Sequence, residues 1–145
     1  FSMSKLAVIY WSMTGNTEAM AQAVADGAKE AGADVSLVSV SDITPAQAAG
    51  YDLLALGCPA MGDEVLEESE FEPFFTDLEG SLSGKTVGLF GSYGWGDGQW
   101  MRDWQDRTEQ AGARLFRGEG LIVNETPDDD ALADCKAFGR ELASL

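Results

Sequence analysis

Residues 6–10 (LAVIY) form a continuous apolar run that stops at a polar turn, the pattern of a strand covered on both faces. A helical spacing takes over at 17–31. There Met20, Ala23, Val24, Gly27 and Ala31 recur on one side, and Gly32 supplies a stop. Residues 35–40 (VSLVSV) predict a second strand, and the Ala-rich stretch 43–50 around Pro45 a short helix. A third buried strand spans 52–57 (DLLALG), followed by an acid-rich loop over 58–72. Phe71, Phe74, Phe75 and Leu78 mark a helix over 71–78. Residues 86–92 predict a fourth strand, 93–98 a glycine-rich loop, and 99–111 a helix on which Trp100 and Trp104 are assigned to packing. A fifth strand lies around 120–123. The last helix is read with Thr126 as N-cap, Pro127 at its first position and acids in its first turn. Leu132, Cys135, Phe138 and Leu142 give it an inward face.

Buried strands alternating with helices predict a parallel sheet with helices on both sides. Without linker, repeat or low-complexity tract, the chain reads as one domain over 3–145. Ligands of such sheets sit beyond the carboxyl ends of the strands, where the strand order reverses. The loops after strands one, three and four are therefore the candidates, and all three carry unusual chemistry.

Charge narrows the partners. Nine Lys and Arg against 25 Asp and Glu give a formal net charge of -16. Nucleic acid and anionic membrane are poor partners for such a chain, and basic proteins are favoured. Histidine is absent, which removes the commonest general base and metal ligand. Cys58 and Cys135 lie too far apart for a C-x-x-C motif and are expected as reduced, partly buried thiols of a cytoplasmic protein. No run approaches the ~18 apolar residues of a membrane helix. Phe1-Ser2 ahead of Met3 reads as the remnant of a cleaved tag.

The first loop holds Ser12, Met13, Thr14, Gly15, Asn16 and Thr17. A helix N-terminus binds anions through free N–H groups and its dipole. Three hydroxyls and an amide complete a phosphate cradle that needs no cation. The alternative is an ordinary capped turn. G-x-x-x-x-G-K-[ST] and G-x-G-x-x-G are absent, so a monophosphate is favoured over a nucleoside triphosphate or a dinucleotide. The second loop, after strand three, offers Pro59, Ala60, Met61, Gly62, Asp63 and Glu64. Met61 suits an aromatic ring, Gly62 can take positive φ, and Glu64 can accept from a ring N–H. Equally, these residues can form a plain turn with a core plug and a solvated charge. The third loop, after strand four, reads Ser92, Tyr93, Gly94, Trp95, Gly96, Asp97 and Gly98. A tryptophan between glycines on a loop calls for a ligand or partner to cover it, and stacking on a planar ring is preferred.

The stretches YWSMTGNTEAMA, LGCPAMGDE, EPFFTDL, KTVGLFGSYGWGDG and NETPDD together resemble the flavodoxin family, short-chain type. The resemblance implies a three-layer, doubly wound α/β sandwich with a five-stranded parallel sheet in the order 2-1-3-4-5. It implies non-covalently bound FMN and no catalytic or metal-binding residues. The FMN phosphate is expected on Ser12, Met13, Thr14, Gly15, Asn16 and Thr17, and the two ring faces on Met61 and Trp95. The backbone of 61–64 would line N5, with the Glu64 carboxylate at N3–H and backbone groups of 92–98 at the pyrimidine end. Pro59, Ala60, Ser92 and Asn124 are placed near the ribityl chain. Met13 departs from the glycine that close relatives often carry. The implied function is a low-potential, monomeric electron carrier shuttling between semiquinone and hydroquinone with basic-patched redox proteins. A flip of the Gly62 peptide would serve the first reduction. Asp63, Glu64, Glu67, Glu68 and Asp97 would disfavour the second, and the acids over 63–72 would steer partners or simply provide solubility. Alternatives are an FMN-dependent reductase of quinones or nitro compounds, a flavodoxin-like activator of a metalloenzyme, and a flavin-free signalling domain.

Overall fold

A computed structural model describes residues 5–145, so the tag remnant expected at 1–2 and the domain start expected at 3 fall outside the described residues. Alternation of short apolar runs with amphipathic stretches produces β1 (Lys5–Tyr10), α1 (Asn16–Glu30), β2 (Asp34–Ser39), α2 (Pro45–Ala48), β3 (Leu53–Gly57) and α3 (Phe71–Glu79). The second half holds β4 (Thr86–Tyr93), α4 (Gln99–Gln110), β5 (Arg114–Leu115), β6 (Leu121–Asn124) and α5 (Asp129–Ala143). All pairings are parallel, and the order is β2-β1-β3-β4-β5 with β6 also on β4. β1 and β3 are central, and their apolar runs are buried as a doubly covered strand requires.

The expected fifth strand is in two pieces. β5 pairs with Thr86 and Val87, and β6 pairs with Phe90, Gly91, Ser92 and Tyr93. Between them the chain leaves the sheet in a 3-10 turn, Phe116–Gly118, with Arg117 at φ 66. Phe116 packs edge-on against Phe138 at 5.0 Å, and the Arg117 guanidinium lies over both rings. Aromatic burial and this cation–π stack outweigh continuous pairing on an edge strand.

The sheet separates two apolar clusters. One holds Phe71, Phe75, Trp100 and Trp104 under α3 and α4. The other lies under α1 and α5, which cross with almost no side chain between them. A Cβ on Gly27 would lie 1.9 Å from the Lys136 carbonyl oxygen, and one on Gly139 1.9 Å from that of Val24. Both cysteines are buried and unbridged. Burial pushes both thiols up, Cys135 to about 12.

Two helix starts are corrected. α5 is capped by Asp128, whose Oδ1 accepts from the Ala131 N–H at 2.8 Å, and not by Thr126. Asp128 is still extended (φ -85, ψ -176), so the helix begins after it, and a carboxylate suits the positive helix end better than a hydroxyl. The helix expected over 43–50 is confined to Pro45–Ala48 by a capping box between Thr44 and Gln47.

Candidate functional site

The carboxyl ends of β1, β3 and β4 bring the three loops together around a cleft of about 220 Å³. Ser12, Met13, Thr14, Asn16 and Thr17 line it from the first loop, Pro59, Ala60 and Met61 from the second, and Ser92, Tyr93 and Gly94 from the third. Glu125 adds a carboxylate that the sequence reading missed. It follows directly on β6, and only the pairing of Asn124 with Tyr93, 31 residues away, brings it to the cleft, so no local sequence signal marks it. Among the described residues, no lysine or arginine lines the cleft.

Gly15 begins α1 in the left-handed region, at φ 94. Ser12 Oγ accepts from the N–H groups of Gly15 and Glu18, each at 3.2 Å. The Ser12 oxygen therefore caps the helix while its proton remains available to an acceptor in the cleft. Thr17 is buried, and its hydroxyl lies 3.0 Å from that of Ser92. Met13 is 72% exposed at the lip.

In the second loop, the Met61 carbonyl accepts from the Glu64 N–H at 2.8 Å, and the Met61 N–H donates to Val65 O at 3.0 Å. Glu64, at φ 52, occupies the left-handed region here; Gly62 does not. A Cβ on Gly62 would meet nothing within 4 Å. One Glu64 carboxylate oxygen accepts from the Gly98 N–H at 3.3 Å. That contact ties the second loop to the third and leaves the other oxygen free of it.

Glu67 is not a rim acid. It is 4% exposed and accepts from the backbone N–H of Ser69 at 2.7 Å and of Glu70 and Phe71 at 2.9 Å, with the Ser69 hydroxyl as a further donor. Burial pushes its carboxyl up, but the donors outweigh burial and hold it below the usual range. Glu72 is also committed. The Arg107 guanidinium grips it bidentately at 2.7 and 2.8 Å and holds its carboxyl low against burial. Asp97 pairs with Arg102 at 2.9 Å, both well exposed.

Trp95 is 67% exposed on a loop whose next residue, Gly96, has φ 92. The Asn124 amide donates to the carbonyls of Tyr93 and Gly94, at 3.3 and 3.0 Å. The Glu125 N–H donates to Tyr93 O at 2.6 Å. Asn124 therefore clamps the third loop, and of the two neighbours only Glu125 lines the cleft.

The donor set suits a phosphorylated planar ligand. Hydroxyls, an amide and the N-terminus of α1 line the cleft together with Met61 and Tyr93, while Trp95 is uncovered on the loop that continues from Gly94 and does not itself line the cleft.

The family model described as Flavodoxin matches residues 8–139. The chain belongs to the flavodoxin family. It is 49% identical over 144 residues to the flavodoxin of Clostridium beijerinckii, covering 95% of this chain and 99% of that protein. It is 52% identical over 136 residues to the flavodoxin of Megasphaera elsdenii, covering 94% and 96%. The solution structure of two-electron reduced Megasphaera elsdenii flavodoxin superposes with a TM-score of 0.88 at 51% identity, covering 97% of this chain and 99% of that one. As a flavodoxin family member, the chain is an electron carrier that binds FMN and is not an enzyme with a substrate of its own.

Proposed function

We propose that the chain is a low-potential carrier that moves electrons one at a time. FMN supplies the redox chemistry, and the protein sets the potentials. The observation that carries this reading is the lining of the cleft, where neutral donors are joined by the Glu125 carboxylate and no cation.

Ser12, Thr14, Asn16, Thr17 and the N-terminus of α1 would hold the phosphate. Met61 and Trp95 would flank the ring, and Pro59, Ala60 and Ser92 would line the path between. Glu64 would orient the ring edge while it ties the two loops. Each carboxylate about 10 Å from added negative charge disfavours it by roughly 1–2 kcal/mol at an effective dielectric near 20, before salt screening. Asp63, Glu64 and Glu125 would do so, and Glu67 would act by positioning the loop. A stacked Trp95 would also keep water off the ring.

The exposed acids Asp63, Glu68 and Glu70 favour partners with a basic patch. We read the chain from residue 3 as one domain, monomeric and cytoplasmic. Among the described residues, no helix is long and apolar enough to cross a membrane.

Anaerobic potentiometric titration of the FMN-loaded protein tests the reading. Two well-separated one-electron steps, the second at low potential, are expected. A single two-electron step would overturn the proposal in favour of a reductase.

A further inference from the structure

Thr17 and Ser92 lie 75 residues apart in the chain, yet their hydroxyl oxygens meet at 3.0 Å on the floor of the cleft. They are 1% and 5% exposed, and both line the cavity. Thr17 sits in the first turn of α1, the end that attracts anions, and Ser92 sits near the end of β4. Each hydroxyl has one proton and two acceptor lone pairs. One proton is used between the two oxygens, so the pair has a single proton to offer a ligand. Which residue offers it depends on the ligand.

A phosphate near neutral pH presents mainly acceptor oxygens. Seated at the N-terminus of α1, it takes the Thr17 proton. The Thr17 oxygen must then accept from Ser92, and Ser92 turns only lone pairs toward the cleft. Each bond in such a chain polarises the next, so an anion at one end strengthens the acceptor at the other.

We propose that the Thr17–Ser92 pair is a directional relay that couples recognition of the phosphate to recognition of a hydroxyl-bearing chain. Bound phosphate makes Ser92 an acceptor for a ligand hydroxyl. Without phosphate the pair has no fixed direction, and Ser92 can face the ligand as donor or acceptor. The inference rests on the FMN reading of the cleft and adds to it that the two ends of the ligand are not recognised independently.

The test uses four ligands and the dissociation constants obtained from quenching of flavin fluorescence in the apo-protein. They are FMN, riboflavin, a flavin with a plain alkyl chain at N10, and the terminal phosphate of that alkyl flavin. In the wild-type chain, phosphate should raise affinity about fivefold more when the hydroxyls are present than when they are absent. Ser92→Ala and Thr17→Val should each abolish that excess, and Thr17→Ser should keep it. An equal gain from phosphate with and without the hydroxyls, measured on the wild-type chain alone, overturns the relay. So does an excess that survives Ser92→Ala. Failure of the wild-type chain to bind FMN at all would instead overturn the reading on which the relay rests.

Discussion

The loop between β3 and α3 has two ends built on opposite plans. At Glu67 a buried carboxylate gathers three backbone N–H groups and a hydroxyl at the start of α3, and the Glu67 N–H donates to Cys58 Sγ at 3.4 Å. At Gly62 the chain is exposed, open space lies beside the α-carbon, and the turn is closed by two backbone bonds at Met61. Both ends are acidic, so composition does not separate them. A carboxylate whose lone pairs are filled by the backbone positions a loop, whereas an exposed one contributes mainly charge. The fastened end is held by the backbone of α3's first turn, and the open end is held only by its own two backbone bonds with open space beside Gly62.

Removing the fastening should have the largest effect. Glu67→Ala leaves the N–H groups of Ser69, Glu70 and Phe71 without their acceptor in a mostly dry site. It should cost about 2–3 kcal/mol in urea unfolding of the apo-protein at pH 7. A loss below about 0.5 kcal/mol would mean that water replaces the carboxylate and the two ends do not differ as described.

Acid is a gentler way to act on the same end. The folded-state value of Glu67 lies below its unfolded value, so its stabilisation is present above the unfolded value, near pH 4.3, and is lost as pH falls through the folded one. Glu72 adds to the same window through Arg107. Glu67→Gln should cost about 1 kcal/mol at pH 7 and flatten the fall of stability below pH 4.5. An unaltered acid limb would assign that fall to other carboxylates.

Arg107→Met breaks the grip on Glu72 and Glu79 and removes the stack over Phe75 at 4.9 Å. These groups are about one-third exposed, so solvent screening limits the loss to about 1 kcal/mol. Thermal unfolding at low and high salt checks it, and the loss should shrink with salt.

The smallest effect on stability belongs to the open end. Gly62→Ala should change apo-protein stability by less than about 0.5 kcal/mol, because the added Cβ meets nothing. It should still narrow the spacing between the two one-electron potentials, since the alternative turn becomes costlier. Unchanged spacing would remove the Gly62 turn from redox tuning.

The sequence reading located the strands of the sheet and the three loops that meet, because alternation of apolar runs with helical spacing is a local property. Trp100 and Trp104 were assigned to packing and are each 1% exposed. The uses of polar side chains were harder to read. Glu67 reads as one more acid of the loop, although the N–H groups that donate to it lie within four residues, a capping pattern that is legible in sequence. Glu64 on Gly98 and Asn124 on Tyr93 were not legible in that way, because their partners are 34 and 31 residues away. The division of the last strand also escaped the pattern, since a Phe116–Phe138 contact decides it.

By itself, then, the sequence determined the layers of this protein, the order of its elements, and the clustering of hydroxyl and amide groups after β1. Periodicity and turn chemistry act between near neighbours. Only the tertiary structure decided which carboxylates face the cleft, which hold the backbone, and which hydroxyls share a proton. A hydrogen bond goes to whatever donor or acceptor the fold brings within about 3 Å, and residue type alone does not choose among distant partners.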